Sequence, residues 1–311
     1  MLQPGQIIDG MYTIERMLGS GGMADVYIVK HVRLPKHFAL KVMRLESGER
    51  TRFMERFRRE AEILATLKNA HLVEVFDHNE MPDGNPYLIM ELLEGEDLSQ
   101  FLTRSAGPLS AAAALSICNQ VGEALDVAHQ VGVVHRDLKP SNIFLCQKEA
   151  FPNFVKVLDF GIAKQTQAGR TPLTADRSLM GTPGYMAPEQ ALGRVSQIDH
   201  RTDQFALAAI LYEMLTGKPA FYVPEDTTYS ILNKVVNEHP PPLPQTIINR
   251  AVQRALSKNP DDRFPSIKAF LAAVGANSLT IHVAPNAPEA VRSTVSNGEV
   301  TVVSRTFFYR R

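Results

Sequence analysis

The sequence predicts an α+β chain in which a small antiparallel β-sheet with one helix precedes a larger, mainly α-helical lobe. Three observations carry that prediction. Short apolar runs in the first third alternate with polar residues, the period of half-buried strands. One segment there, residues 52–67, instead repeats its apolar residues at spacings of three and four. From Leu98 onward the helical period takes over and the connections shorten. The expected organisation is an N-terminal extension over 1–11, one main domain over 12–275 and a linker with a tail over 276–311. Within that domain the small lobe covers about 12–92 and the large lobe about 93–275.

With 311 residues the chain is long enough for one large domain or two lobes, and an apolar fraction of 44% is ample for a core. A formal net charge of zero gives no electrostatic reason to expect nucleic acid or an anionic membrane as the main partner. Cys118 and Cys146 make neither a disulfide framework nor a zinc site, which fits a reducing compartment, the cytoplasm. The opening Met1-Leu2-Gln3-Pro4-Gly5-Gln6 lacks the layout of a signal peptide. No apolar run reaches the length of roughly 18 residues that a membrane-spanning helix needs.

Residues 12–18 alternate as a half-buried strand, and the strand-patterned Ile28-Val29-Lys30 follows. Between them lies a glycine-rich turn, Gly19-Ser20-Gly21-Gly22-Met23-Ala24-Asp25-Val26-Tyr27. Without Cβ atoms such a turn lets backbone N–H groups approach phosphates, although a plain hairpin uses similar residues. A dinucleotide-binding reading fits less well, because strand patterning rather than a helix follows the glycines. Phe38-Ala39-Leu40-Lys41-Val42-Met43 sets one lysine in an apolar strand, either buried against a partner or facing water from a sheet edge. In the helix over 52–67, Phe57, Glu60 and Leu64 fall near one face, which puts Glu60 beside the apolar stripe. A solvated charge in Arg58-Arg59-Glu60 is the other reading. Residues 71–76 and 86–90 read as two more strands, for a sheet of five.

In the large lobe, residues 111–129 read as a helix with Leu115, Cys118, Val121, Gly122 and Leu125 along one stripe and a structural His129 at its end. His135-Arg136-Asp137-Leu138-Lys139-Pro140-Ser141-Asn142 reads as a loop, since Pro140 blocks helical bonding and restrains Lys139 to extended geometry. Phe154-Val155-Lys156-Val157-Leu158 then delivers Asp159. One carboxylate, one ammonium and one amide thus share the loop, and a second carboxylate arrives from the next strand. Phosphoryl transfer needs such a set: a carboxylate for a hydroxyl, a cation on the moving phosphate, and oxygen ligands for magnesium. A polar turn between buried strands is the bland alternative for any one of these residues. Residues 205–212 read as a buried helix, and the long aperiodic stretch from 159 to 187 has the length of a functional or disordered loop.

The glycine turn, Lys41, the 135–142 loop, Asp159-Phe160-Gly161 and Ala187-Pro188-Glu189 together resemble the protein kinase superfamily. Lys139-Pro140-Ser141-Asn142 resembles its serine/threonine branch, and Gly-Gly-Met-Ala-Asp-Val-Tyr its bacterial, eukaryotic-like group. The resemblance covers about residues 12–275 and implies the bilobal protein kinase fold. It implies transfer of the γ-phosphate of ATP to Ser/Thr hydroxyls of proteins, with Mg2+ (Mn2+ as an alternative). Asp137 would be the base or orienting residue, Lys139 the contact to the phosphate, Lys41–Glu60 an ion pair, and Asn142 with Asp159 the metal ligands. ATP contacts would come from Leu18, Gly19, Ser20, Gly21, Gly22, Met23, Ala24, Val26, Ala39, Lys41, the gatekeeper Met90, hinge residues Glu91 and Leu93, and Phe144. Ala24 stands where the family has a third glycine, so a tuned rather than lost ATP affinity is expected.

The resemblance further implies that His135 braces the loop beside Phe160, that Asp203 caps its backbone, and that Glu189 and Arg263 form a buried ion pair. Thr182 would position the substrate. Arg136 directly before Asp137 matches kinases switched by a docked phosphate, so self-phosphorylation is expected at Thr174 first and Thr171 next. A pseudokinase scaffold is the competing class, but its usual mark is loss of the lysine or of a catalytic or magnesium aspartate, and all three are present. Small-molecule kinases of this fold commonly lack the Ala-Pro-Glu block. Related bacterial kinases can pair through their small lobes, which makes a second copy of this chain a candidate partner. Residues 276–297 read as a linker, and 299–311, with strand propensity and a basic end, as an added strand, a docking tail or an unpaired, sticky terminus, a partly ordered tail being favoured.

Overall fold

The computed structural model describes residues 2–21, 24–45, 50–105, 107–147, 153–160, 183–223 and 225–275. The expected tail over 276–311 lies outside them. Six antiparallel strands form the first sheet: β1 (Ile7–Ile8), β2 (Tyr12–Ser20), β3 (Ala24–His31), β4 (His37–Met43), β5 (Val75–Glu80) and β6 (Pro86–Glu91), in the order β1-β2-β3-β4-β6-β5. One helix, α1 (Arg50–Thr66), joins β4 to β5.

Residues directly opposite on antiparallel strands share a face, so register sorts this sheet's side chains. Tyr27, Leu40 and Ile89 oppose one another, and with Tyr12, Val29 and Tyr87 they bury one face. The other face carries Val26, Lys41 and Leu88 in one row and Ile28, Ala39 and Met90 in the next. Met43, Leu88 and Val75 pack there against Phe53, Phe57 and Ala61 of α1. Lys41 therefore stands in the middle of the sheet, and the edge-strand alternative is excluded.

One expectation needs correction, and the N-terminal segment adds to the first sheet. Residues 71–76 alternate like a strand, yet β5 begins only at Val75. The backbone of the preceding residues is committed elsewhere: Val157 N donates to His71 O at 2.8 Å and Val73 N to Val157 O at 3.1 Å. The N-terminal segment ahead of residue 12 hydrogen-bonds to the sheet. Gly5 N donates to Ile14 O and Ile14 N to Gln6 O, both at 2.8 Å, and the Asp9 carboxylate accepts from Asn79 Nδ2 at 2.6 Å and from the Tyr87 hydroxyl.

The second sheet, β7 (Gly95–Asp97), β8 (Ile143–Cys146) and β9 (Phe154–Val157), lies among the helices α2 (Leu98–Ser105), α3 (Ala111–Gln130), α4 (Pro188–Ala191), α5 (His200–Thr216), α6 (Thr228–Asn237), α7 (Thr246–Ala255) and α8 (Ile267–Val274). Gly95 begins β7 at φ 144°, where a Cβ would collide with the Leu145 carbonyl, so only glycine fits. Ser110 caps α3 by accepting from Ala113 N. Along α5 nearly every residue from Thr202 to Met214 is buried, as an all-round apolar helix should be. No helix among the described residues is long and apolar enough to cross a membrane.

Charge enters this core in compensated form. Arg263 donates to both oxygens of Glu189, at 2.8 and 2.7 Å, and the two side chains are 0% and 1% exposed. Thr202 Oγ1 donates to Glu189 at 2.8 Å, while Arg263 also donates to the carbonyls of Ser257 and Arg201. Lys258 donates to Val235 O at 2.6 Å and lies over the Phe221 ring. Burial, aided by nearby Arg263, lowers the Lys258 ammonium pKa to about 8.

Arg263→Ala strands the Glu189 carboxylate and should destabilise the fold by about 3–5 kcal/mol, read by urea melts. For Lys258 the folded pKa lies below the unfolded one, so the unfolded chain binds more protons between about pH 8 and 10.5 and stability rises with pH across that window. Melting temperatures compared across it should show the wild type gaining on Lys258→Met.

Candidate active site

Strand β4 delivers Lys41 and the turn after β9 delivers Asp159, and the two side chains form an ion pair. Asp159 adopts φ 51°, a left-handed conformation that aspartate tolerates better than most residues. The partner expected for Lys41 is Glu60; in this structure its ammonium meets the Asp159 carboxylate. Glu60 stands half-buried on α1, beside buried Phe57 and Ala61.

The 135–142 loop is built on side chains that grip its backbone. Lys139 Nζ lies 3.2 Å from Asp137 Oδ2. Asn142, buried at the end of a 3-10 turn over Pro140–Asn142, donates from Nδ2 to Asp137 O at 2.7 Å and, at 3.4 Å, to Asp137 Oδ2. Leu158 N donates to Asn142 O at 2.8 Å, which ties the loop to the turn carrying Asp159. The His135 ring reaches Leu158 O at 2.8 Å through Nε2, and its centroid lies 4.7 Å from that of Phe160, the expected brace. Asp203 caps the loop as expected, accepting from His135 N and Arg136 N at 2.8 Å each, and it also meets His129 Nε2 at 2.7 Å.

Around this centre, Ala39 and Met90 oppose each other one row from Lys41, and Val26 opposes Lys41 itself. Gly21 N donates to Ala24 O at 2.9 Å, closing the glycine turn on the alanine that replaces the third glycine. Leu18 and Gly19 are exposed at the end of β2, and Ser20 Oγ accepts from Arg44 at 2.6 Å. Arg44 also grips Asp25, and that hydrogen bond holds the Asp25 carboxyl below its ordinary range. Leu93 is half-buried just before β7, and Phe144 on β8 opposes Asp97 and Lys156. Gly22, Met23, Thr171, Thr174 and Thr182 lie outside the described residues.

Residues not anticipated as part of the site also converge here. Lys156, 8% exposed, pairs with the Glu91 carboxylate and donates to Leu72 O at 2.9 Å, joining the end of β6, the segment before β5 and the strand that leads to Asp159. Its local signal was the one that marked Lys41, a single lysine in an apolar strand. Gln190 of α4 touches the loop carbonyl of Arg136 at 2.9 Å, and nothing local marks it.

The donors fit a divalent cation held against phosphate. Asp159 and Asn142 supply hard oxygen, and among the described residues no cluster of three or more His, Cys, Asp or Glu side chains forms a cage. Magnesium held against phosphates needs only one or two protein ligands, because phosphate and water complete its shell.

The family model described as "Protein kinase domain" matches residues 12–273. Two similar proteins of Myxococcus xanthus are serine/threonine-protein kinases: Pkn1 is 38% identical over 93% of this chain and 40% of its own length, and pkn3 is 42% identical over 88% and 51%. The chain thus spans about half the length of these relatives. Among solved structures, the Mycobacterium tuberculosis PknI kinase domain is 32% identical with a TM-score of 0.70, covering 90% of this chain and 100% of that one.

Asp203→Asn would set an N–H against one of the buried donors that now converge on the carboxylate. It should cost about 1–3 kcal/mol in denaturant melts.

Proposed function

The chain belongs to the protein kinase family, and from that premise we propose that it transfers the γ-phosphoryl group of ATP to serine or threonine hydroxyls of proteins. One observation carries the reading: Asp137, Lys139 and Asn142 form a single contact network, and the backbone of Leu158 joins it to the Lys41–Asp159 pair. In this reading Asp137 orients the substrate hydroxyl and accepts its proton, and Lys139 beside it carries positive charge toward the moving phosphate. Lys41 holds the nucleotide's phosphates beneath the glycine turn, with Val26, Ala39 and Met90 lining the same face and the backbone at Glu91 and Leu93 meeting the base. Asn142 and Asp159 would hold Mg2+, or Mn2+ in its place, which when bound neutralises phosphate charge. A positioned base contributes typically about 10²–10⁴-fold, and preorganised charge the larger share of the remainder.

The same reading includes control by phosphate on the segment before Ala187, with Thr174 and then Thr171 as the self-modified residues. Arg136 supports it: its Nε is buried and has no hydrogen-bond partner among the described residues. A docked phosphate brings roughly −1.5 to −2 charges and strong acceptors to such a group. Two buried thiols, Cys118 and Cys146, support a reducing, cytoplasmic setting. Exposed Val32, Leu34 and Phe76 on the small lobe support a second copy as partner.

Wild-type chain with labelled ATP, magnesium and a generic basic protein should transfer phosphate, while Lys41→Met and Asp137→Ala should lose nearly all of it. Transfer by both variants at the wild-type rate would remove the proposal. Mass spectrometry should find phosphate at Thr174 or Thr171 in the wild type and not in Asp137→Ala; equal phosphate in both would rule out self-modification.

A further inference from the structure

Arg136 precedes Asp137 in the loop and adopts φ 61°, a left-handed conformation that a long side chain rarely takes. Such a backbone persists only where its surroundings over-determine it. Both polar groups of the Arg136 backbone are held by side chains from other elements. Its N–H donates to Asp203 Oδ1 at 2.8 Å, and its carbonyl accepts from Gln190 Nε2 at 2.9 Å. The second hold comes from α4, directly after the Ala187-Pro188-Glu189 block.

The Gln190 amide is spent at both ends. Its Oε1 accepts from Ala187 N at 3.0 Å, closing the start of α4, while its Nε2 reaches the loop. The orientation follows from the partners: a flipped amide would set oxygen against the Arg136 carbonyl and N–H against the Ala187 N–H. One side chain therefore fastens the platform at 183–187 to the carbonyl that begins the Arg136–Asp137 peptide.

We infer that Gln190 is a positioning residue for phosphoryl transfer, holding the Arg136–Asp137 peptide in its left-handed turn so that the Asp137 carboxylate meets the hydroxyl. This rests on the kinase reading above. Gln190→Glu separates the two ends of the amide. A carboxylate still accepts from Ala187 N, and a negative charge suits the first turn of a helix. It cannot donate to Arg136 O and repels it. Gln190→Met loses both contacts.

With the full chain, Gln190→Glu should melt less early than Gln190→Met, because it keeps the bond from Ala187 N, and should keep the KM for ATP, while kcat for a basic protein substrate falls about 10–100-fold, the scale of a small misplacement at the reacting atoms. Amide hydrogen exchange across 135–139 should quicken in the same variant. Gln190→Met should share the fall in kcat and also melt earlier. Wild-type kcat with wild-type exchange in Gln190→Glu would overturn the inference, as would early melting of that variant with kcat per folded molecule unchanged. An inactive wild type would sink the kinase reading, and exchange alone would then decide whether Gln190 holds the loop.

Discussion

Asp203 stands in the first turn of α5 with 1% of its surface exposed, and three donors from two places converge on its two oxygens. His129 arrives from the end of α3, while the main chains of His135 and Arg136 arrive from the loop before Asp137. A carboxylate taken out of water at that depth is tolerable only when its lone pairs are filled. The loop is therefore the carboxylate's solvation shell as much as the carboxylate is the loop's anchor. Remove either and the other loses its reason to stay. Everything downstream inherits this arrangement, including the left-handed turn at Arg136 and the direction in which Asp137 leaves it.

A second buried charge pair works by the same logic at a distance. Glu189 and Arg263 satisfy each other beneath α4, and Thr202 of α5 completes the carboxylate's shell. The helix that carries Glu189 also carries Gln190. The platform following the long central segment and the loop holding Asp137 are thus braced on the same helix, α5, through two separate carboxylates. In the proposed reaction these charges place the loop and take no part themselves.

Much of this was legible because reaction chemistry restricts residue type at short spacings. Asp137, Lys139 and Asn142 had to share one loop, and Pro140 announced it as a loop. Lys41 was visible as a charge where the strand pattern wanted an apolar residue. Less legible was whatever depends on pairing across long separations. Residues 71–76 alternate like a strand, but their hydrogen bonds go to β9 of the other lobe, which no local period reveals. Lys156 with Glu91, Arg44 with Asp25, and Gln190 with Arg136 are ordinary polar residues until the fold makes them neighbours. The meeting of Lys41 with Asp159 has the same cause: the turn at Asp159, which no local pattern marks, brings that carboxylate to the sheet.

The first ten residues illustrate how a boundary drawn on similarity can cut through a physical unit. The family match opens at residue 12, yet Gly5 and Gln6 complete the hydrogen bonding of Ile14, and Asp9 receives Tyr87 from the far side of the sheet. Trimming the polypeptide at the similarity border would bare the flank of β2 and leave the Tyr87 phenol without its acceptor. A shorter chain that keeps this seam whole must begin ahead of Gly5.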